Sequence, residues 1–375
     1  MTDSLQSFRT HQPGKTLWML VAIADIIIRM LYLSVYFIPK STRQHPEWTY
    51  RQALTNELFR VTFYHMTLTK LTLPPISMKP GAEKERFVSM SPQNGIYNGV
   101  LQDSAVQPAI VGGTWYPKLF QLGDEQKTVI LHFHGGSFLW GTGRESDCGF
   151  LASTILKRIP ATALFVQYRI ASDPACTFPA AVQDAVTAYK HLLNMEIPAS
   201  NIVISGDSAG GNVAIALLRY LSSADGNNLP SPLAVLLWSP SVDLATQCDP
   251  RSIDLHKNNK SDYITGFTLV WGVKAYIPRS MDPTHPYFSP LQHPFSTPIP
   301  LWIMVGGTEV LYDTIVGFAD RMRNMEGNRV TLYEAPNAPH DIVFIGHVLG
   351  WAKEADAGAQ AAAEFLKGLG SDAKS

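Results

Sequence analysis

Asn201-Ile-Val-Ile-Ser-Gly206-Asp-Ser208-Ala-Gly210-Gly-Asn212 is the stretch whose reading decides the fold. Its opening β-branched run has the composition of a buried strand. A Gly-x-Ser-x-Gly turn follows, and after it an apolar helical pattern runs from Asn212 to Leu221. Strand, turn and helix in that order describe a nucleophile elbow. So tight a turn holds Ser208 in a strained backbone conformation, and side chains at Gly206 or Gly210 would collide with the strand and helix. The serine oxygen then stands at a helix N-terminus, where N–H groups and the helix dipole favour a developing negative charge. Plain glycine-rich turns share the bare motif, so Ser208 earns the role of nucleophile only with its flanks and partners.

Outward from the elbow, strand signals alternate with helical ones. Residues 96–100 and 109–116 read as a leading hairpin, and residues 128–133, 161–168, 233–238, 301–305 and 330–334 as further strands. Helices are expected after Ser146, from 179 to 195, after Asp313 and after Gly350. That alternation predicts an α/β protein, a mostly parallel sheet with helices on both faces. Residues 240–300 break the rhythm, are rich in Asp, Pro and His, and hold one helical patch at 266–276; they read as a lid. Residues 39–80 read as an amphipathic helical segment stopped by Pro74-Pro75, either a second piece of cap or an ordinary packing helix. The expected organisation is a tail over 1–16, an anchor over 17–38 and a catalytic domain over 39–375, with cap segments at about 39–90 and 240–300.

A serine nucleophile needs a base, an acid to orient that base, and donors for the oxyanion. On an elbow of this kind the acid follows the serine and the histidine follows the acid. His340, in the loop after the last strand, is the expected base; His347 falls in an apolar stretch and reads as an ordinary helix residue. Glu309 ends the 301–305 strand region and is the expected acid. Asp313, four residues on at a helix start, is the alternative and is also explained as a helix cap. Gly135, Gly136 and Ser137, after the 128–133 strand, supply backbone N–H groups for the oxyanion, joined by the N–H of Ala209.

Composition narrows the classes. Of the 375 residues 46% are hydrophobic and 16% charged, and the formal net charge is −1. That is a globular chain with a large core and no electrostatic footprint for nucleic acid. Cys148, Cys176 and Cys248 are too few and too scattered for a disulfide framework or a zinc site.

Residues 17–38 are apolar apart from Asp25, Arg29 and Ser34. As a helix they reach roughly 33 Å, enough for a hydrocarbon core of about 30 Å, and they read as a transmembrane anchor. Asp25 and Arg29 lie four apart and can pair, which offsets part of their insertion cost. Two rivals are a signal peptide cut after Ala22-Ile-Ala24 and a helix packed on the protein's own body. Asn259-Lys-Ser261 is a glycosylation sequon, relevant to a lumenal domain.

His134-Gly-Gly136, the Gly206-Asp-Ser-Ala-Gly-Gly211 elbow, Tyr168-Arg-Ile-Ala171 and Phe178-Pro-Ala-Ala181 with Asp184 together resemble the hormone-sensitive-lipase-like branch of the α/β-hydrolases, over residues 95–365. With the N-terminal anchor the chain is similar to membrane-bound esterases of the arylacetamide-deacetylase and fungal steryl-acetyl-hydrolase type. The resemblance implies hydrolysis of a small lipophilic carboxylic ester, no cofactor, no metal, and a membrane location such as the endoplasmic reticulum. Three residues depart from the family pattern: Ser137 replaces a glycine, Glu309 an aspartate, and Asp341 a glycine. An amidase or transacylase with the same triad and a non-catalytic ligand receptor on this fold are the alternative functions.

Overall fold

The computed structural model describes residues 3–72, 77–121, 123, 128–226 and 228–372. Eight strands form one sheet: β1 (Phe87–Met90), β2 (Val111–Tyr116), β3 (Thr128–Phe133), β4 (Ala161–Gln167), β5 (Ile202–Asp207), β6 (Ala234–Trp238), β7 (Leu301–Gly306) and β8 (Val330–Ala335). Their spatial order is β1-β2-β4-β3-β5-β6-β7-β8. β2 pairs antiparallel with β1 and with β4, and every other pairing is parallel. Every residue of β5, β6 and β7 is buried, as expected of parallel strands covered on both faces.

Among the described residues there are twelve helices: α1 (Asp3–Thr10), α2 (Gly14–Tyr36), α3 (Tyr50–Leu68), α4 (Glu145–Arg158), α5 (Ala180–Asn194), α6 (Ser208–Leu221), α7 (Leu244–Gln247), α8 (Pro250–Asp254), α9 (Gly266–Tyr276), α10 (Tyr312–Arg323), α11 (Ile342–Leu349) and α12 (Ala352–Asp372). α6 buries all but one of its residues, so it is the helix most enclosed by the sheet and its neighbours.

The leading hairpin differs from expectation. Its first strand is Phe87–Met90, and residues 96–100 run as a loop entering a short 3-10 turn at Gly99–Leu101. Positive φ at Gly95 and Gly99 breaks any extended run there. The segment is held by side chains instead: Tyr220 Oη donates to the Ile96 carbonyl and accepts from the Asn98 N–H, while Tyr97 Oη meets Thr187 Oγ1 at 2.7 Å. Residues 87–90, at the end of the segment expected to form cap, belong to the sheet. The expected stop at Pro74-Pro75 lies outside the described residues.

α3 begins at a capping box, in which Thr49 and Gln52 satisfy one another's backbone N–H groups. It lies against the 240–300 insertion. Phe63 packs edge-on to Tyr263, and Arg60 Nη1 donates to the Asp262 carbonyl at 2.8 Å. The insertion holds α7, α8 and α9, the last spanning the expected patch. α2 is the one described helix long and apolar enough to cross a membrane, and it runs unbroken through Ala22–Ala24. It packs on α3, with Asp25 Oδ2 3.0 Å from His65 Nε2.

Candidate active site

Parallel strands deliver their following loops to one edge of the sheet, where the expected residues meet. Ser208 follows β5, Glu309 follows β7 and His340 follows β8. Ser208 takes φ +49°, the strained elbow conformation. A Cβ at Gly206 would collide with the Gly210 carbonyl, and one at Gly210 with the Phe133 carbonyl, so both glycines are obligatory. Ser208 Oγ lies 2.9 Å from His340 Nε2, and His340 Nδ1 lies 2.7 Å from Glu309 Oε2. With Glu309 ionised, Nδ1 carries the proton and donates, which leaves Nε2 to accept from the serine hydroxyl. Glu309 Oε1 accepts the Gly306 N–H at 3.1 Å, so both carboxylate oxygens are engaged. All three side chains are buried.

Asp313 lies elsewhere. Its carboxylate meets Lys257 Nζ at 2.9 Å and His256 Nε2 at 3.1 Å on the surface. It does not cap α10 either: Leu311 holds the cap position, with no side-chain bond. His347 sits on α11 with its ring 4.2 Å from that of Phe150, outside the site.

Gly136, Ser137 and Phe138 take φ values of +107°, +54° and +61°, which curl the loop after β3 toward the elbow. Gly135 departs from its expected role, because its N–H donates to Asp207 Oδ2 at 2.8 Å. That bond fixes the loop but removes the N–H from the oxyanion set. Among the described residues no acceptor takes the Gly136 or Ser137 N–H. Ala209 lies in the first turn of α6, where N–H groups lack helical partners. Ser137 tolerates its position because its φ is within reach of an L-residue. Beside Gly135 and Gly136 is a cavity of about 250 Å³, with Phe63, Met66, Trp140 and Phe344 in its wall.

Residues 130–344 match the model of a family described as alpha/beta hydrolase fold. The chain belongs to that family. Among relatives, an acetyl-hydrolase of Streptomyces hygroscopicus is 34% identical over 214 residues, 56% of this chain and 67% of its own. An esterase of Acinetobacter venetianus is 27% identical over 281 residues, 73% of this chain and 82% of its own. The crystal structure of a hormone-sensitive lipase from a metagenome library superposes with a TM-score of 0.58 at 26% identity, covering 84% of this chain and 98% of that one. The chain is a carboxylesterase, a serine hydrolase of the hormone-sensitive-lipase-like branch.

The electrostatics of the esterase are set by burial and by the pairing of its acids. Burial drives the His340 imidazole down, but the hydrogen bond and charge of Glu309, with Asp262 and Asp207 nearby, outweigh it and leave its pKa raised. Burial raises Glu309, against the pull of His340. Behind the elbow is a polar cluster that the sequence reading did not assemble. Asp207 Oδ1 lies 2.8 Å from His132 Nε2, while His132 Nδ1 meets Ser205 Oγ at 2.9 Å. Asp341 joins this cluster. Burial, and then the charge of Asp207, push its pKa well above the carboxylate range. The shift favours its neutral form beside Asp207, whose own pKa is held down, against burial, by the hydrogen bond and charge of His132.

At φ +49° and ψ +52° Asp341 occupies the left-handed region, which explains the family's glycine; aspartate is among the few other residues that enter it readily. Its N–H donates to Ser239 Oγ at 3.2 Å. A second buried aspartate, Asp262 of the insertion, accepts the Val310 N–H at 2.7 Å, and Asn258 Nδ2 donates to the Glu309 carbonyl at 3.0 Å. The 240–300 insertion thus holds the Glu309 loop. Two of the family-like motifs are structural: Arg169 forks onto buried Asp184, with Nη2 2.7 Å from Oδ1, and the His134 ring stacks on Tyr168. Asn259 is engaged as well, its Nδ2 donating to the Asp254 carbonyl and its Oδ1 accepting from Arg60. Among the described residues no group of three or more His, Cys, Asp or Glu could hold a metal.

Proposed function

We propose that Ser208 is the nucleophile of this carboxylesterase, His340 its general base and then acid, and Glu309 the carboxylate that orients and stabilises the imidazolium. The observation that carries the reading is the unbroken hydrogen-bonded line from Ser208 Oγ through His340 to Glu309. Ser208 Oγ attacks the ester carbonyl while its proton passes to His340 Nε2. The N–H groups of Gly136, Ser137 and Ala209 receive the oxyanion. Collapse of the intermediate breaks the C–O bond, and His340 returns the proton to the departing alkoxide. Water, deprotonated by His340, then cleaves the acyl-enzyme.

The substrate is a lipophilic ester with a short acyl group. The small apolar-walled cavity beside Gly136 supports this, as does the name of the Streptomyces relative, an acetyl-hydrolase. An acetylated sterol or secondary metabolite fits that description. α3 and residues 240–300 form the cap. Residues 17–38 attach the enzyme to a membrane, the endoplasmic reticulum being the compartment that the family resemblance implies; the apolar helix α2 supports attachment.

The test is labelling with a fluorophosphonate and hydrolysis of p-nitrophenyl esters of increasing acyl length. Wild type should be labelled on Ser208 and should favour the shortest acyl chains, and Ser208→Ala should lose both activities while keeping its melting temperature. Full labelling of Ser208→Ala would assign the nucleophile elsewhere.

A further inference from the structure

α2 has two opposed faces. Ala22, Asp25 and Leu33 recur at helical spacing on the side of α3, Ala22 and Leu33 buried and Asp25 bonded to His65. Leu20, Ile23, Ile27, Leu31 and Val35 recur on the opposite side, flanked by Met19 and Met30 on one edge and by Val21, Ile28 and Tyr32 on the other, and all are exposed, Val35 at 68%. Roughly 165° of helical rotation separates the two stripes at 100° per residue.

Contact with α3 extends along most of the helix. The Trp18 ring is 6.2 Å from that of His65, Asp25 bonds the same histidine, and Tyr50 Oη donates to the Ser34 carbonyl at 2.9 Å. Since α3 starts beside the end of α2 and finishes near its beginning, the two are antiparallel. The catalytic domain that α3 is fastened to therefore lies alongside α2, not beyond its end. Between them is a cleft of about 350 Å³ whose walls include Asp25, Arg29, Glu57, Arg60 and Asp254. Were α2 to cross a bilayer in this packing, that charged cleft would enter the hydrocarbon, where ionised side chains are strongly disfavoured. A helix lying in the interface leaves the cleft on the water side and immerses only the outer stripe.

Resting on the membrane attachment argued above, we propose that α2 lies in the plane of the membrane interface and seats the catalytic domain on one leaflet without crossing it. The outer stripe enters the acyl chains, and Lys15 and Lys40, at the two ends of α2, stand where ammonium groups meet lipid phosphates. A recess of about 310 Å³ between α1, α3 and α9 is walled by apolar Leu68, Phe267 and Trp271 and by the cations Arg9, Lys70 and Lys274. Exposed Phe267 also borders the cleft beside α2, so the recess adjoins that cleft on the water side of the helix. Trp271 packs edge-on to Trp140 at 5.4 Å, and Trp140 lines the cavity at Gly135 and Gly136.

The test uses the full chain in sealed membrane vesicles from expressing cells. Ser7→Cys or Lys40→Cys, at opposite ends of α2, is introduced with Cys176→Ser and Cys248→Ser, buried Cys148 being left in place. A membrane-impermeant maleimide is added before and after detergent. In-plane seating gives the two cysteines the same behaviour, both labelled from outside or both only after detergent. Opposite behaviour would mean a span and would overturn this inference while leaving membrane attachment intact. Recovery of wild type in the soluble fraction, as monomer or as an α2-paired dimer, would overturn both. Ile27→Glu with Leu31→Glu should raise the soluble fraction about tenfold, with hydrolysis of p-nitrophenyl acetate within about twofold of wild type. Unchanged membrane binding by that variant would remove the outer stripe from the attachment.

Discussion

The carboxyl edge of the sheet and the outer face of α2 depart from ordinary protein surfaces in opposite directions. One buries ionisable groups and the other exposes hydrocarbon. At the sheet edge the compensation is internal: Glu309, Asp207 and Asp262 each accept backbone N–H groups or face a histidine. Buried charge persists only with such partners. On α2 the outer stripe stays exposed among the described residues. A region whose irregularities are compensated within the fold works by itself; one whose irregularity is left open is completed from outside.

The largest effect expected from breaking the internal compensation is at Glu309. Glu309→Gln keeps the shape but removes the charge that stabilises the imidazolium, and turnover should fall roughly 10³–10⁴-fold. Since Glu309 is the leading influence raising His340, the acid limb of the residual rate should move to lower pH, with the base staying neutral further down. A pH–rate profile of both proteins measures this, and an unmoved limb would separate Glu309 from the histidine.

Asp341 sharpens the comparison through stability. Its folded pKa stands above the ordinary 3.8, so the native state favours the neutral acid. The protein then loses stability from this group as pH rises from about 4 through the folded value. Asp341→Asn cannot ionise, yet its amide can still donate to Asp207 and asparagine tolerates the left-handed backbone. Urea denaturation at about pH 5 and about pH 9 should show that loss diminished in the variant, with turnover near neutrality changed only a few-fold. A steeper loss in the variant would contradict the neutral-acid assignment.

The smallest effect is expected where neither compensation is disturbed. Asp313 forms an exposed pair with Lys257 and sits in the first turn of α10. Asp313→Asn should cost at most about 1 kcal/mol and leave turnover within about twofold. Thermal unfolding and kinetics of that variant separate it from Glu309→Gln. Loss of turnover in Asp313→Asn would give it the role assigned to Glu309.

Legibility in the sequence followed locality. The elbow is one contiguous motif, and Glu309 and His340 each end or follow a strand whose apolar run is plain, so the serine, acid and histidine could be named from strand order. Asp341 could be marked as unusual but not placed, because Asp207, its partner, lies 134 residues earlier and only the sheet brings them together. The Gly135 N–H was assigned to the oxyanion because a glycine run shows where the backbone bends, not which acceptor each N–H meets. β1 was missed because four residues carry too little alternation, and 96–100 misled because its apolar side chains pack without pairing their backbone. The apolar length of α2 was plain. Its docking along α3 depends on Asp25 finding His65, forty residues away.

One contact of the lid limits how such an enzyme changes its preferences over evolutionary time. Gly272 of α9 is so close to the Ser137 carbonyl that a Cβ there would collide with it, and the Tyr276 ring lies flat on Phe138 at 3.9 Å. The loop proposed to receive the oxyanion is thus cast against α9, and the Glu309 loop is tied to the same insertion through Asp262 and Asn258. Exchanging this segment for that of a relative would replace a wall of the catalytic machinery along with the walls of the pocket. Chimeras are therefore expected to need partner changes at 137, 138 and 310, and drift in substrate choice is channelled into the pocket side of α3, where Phe63 and Met66 can vary with the machinery left in place.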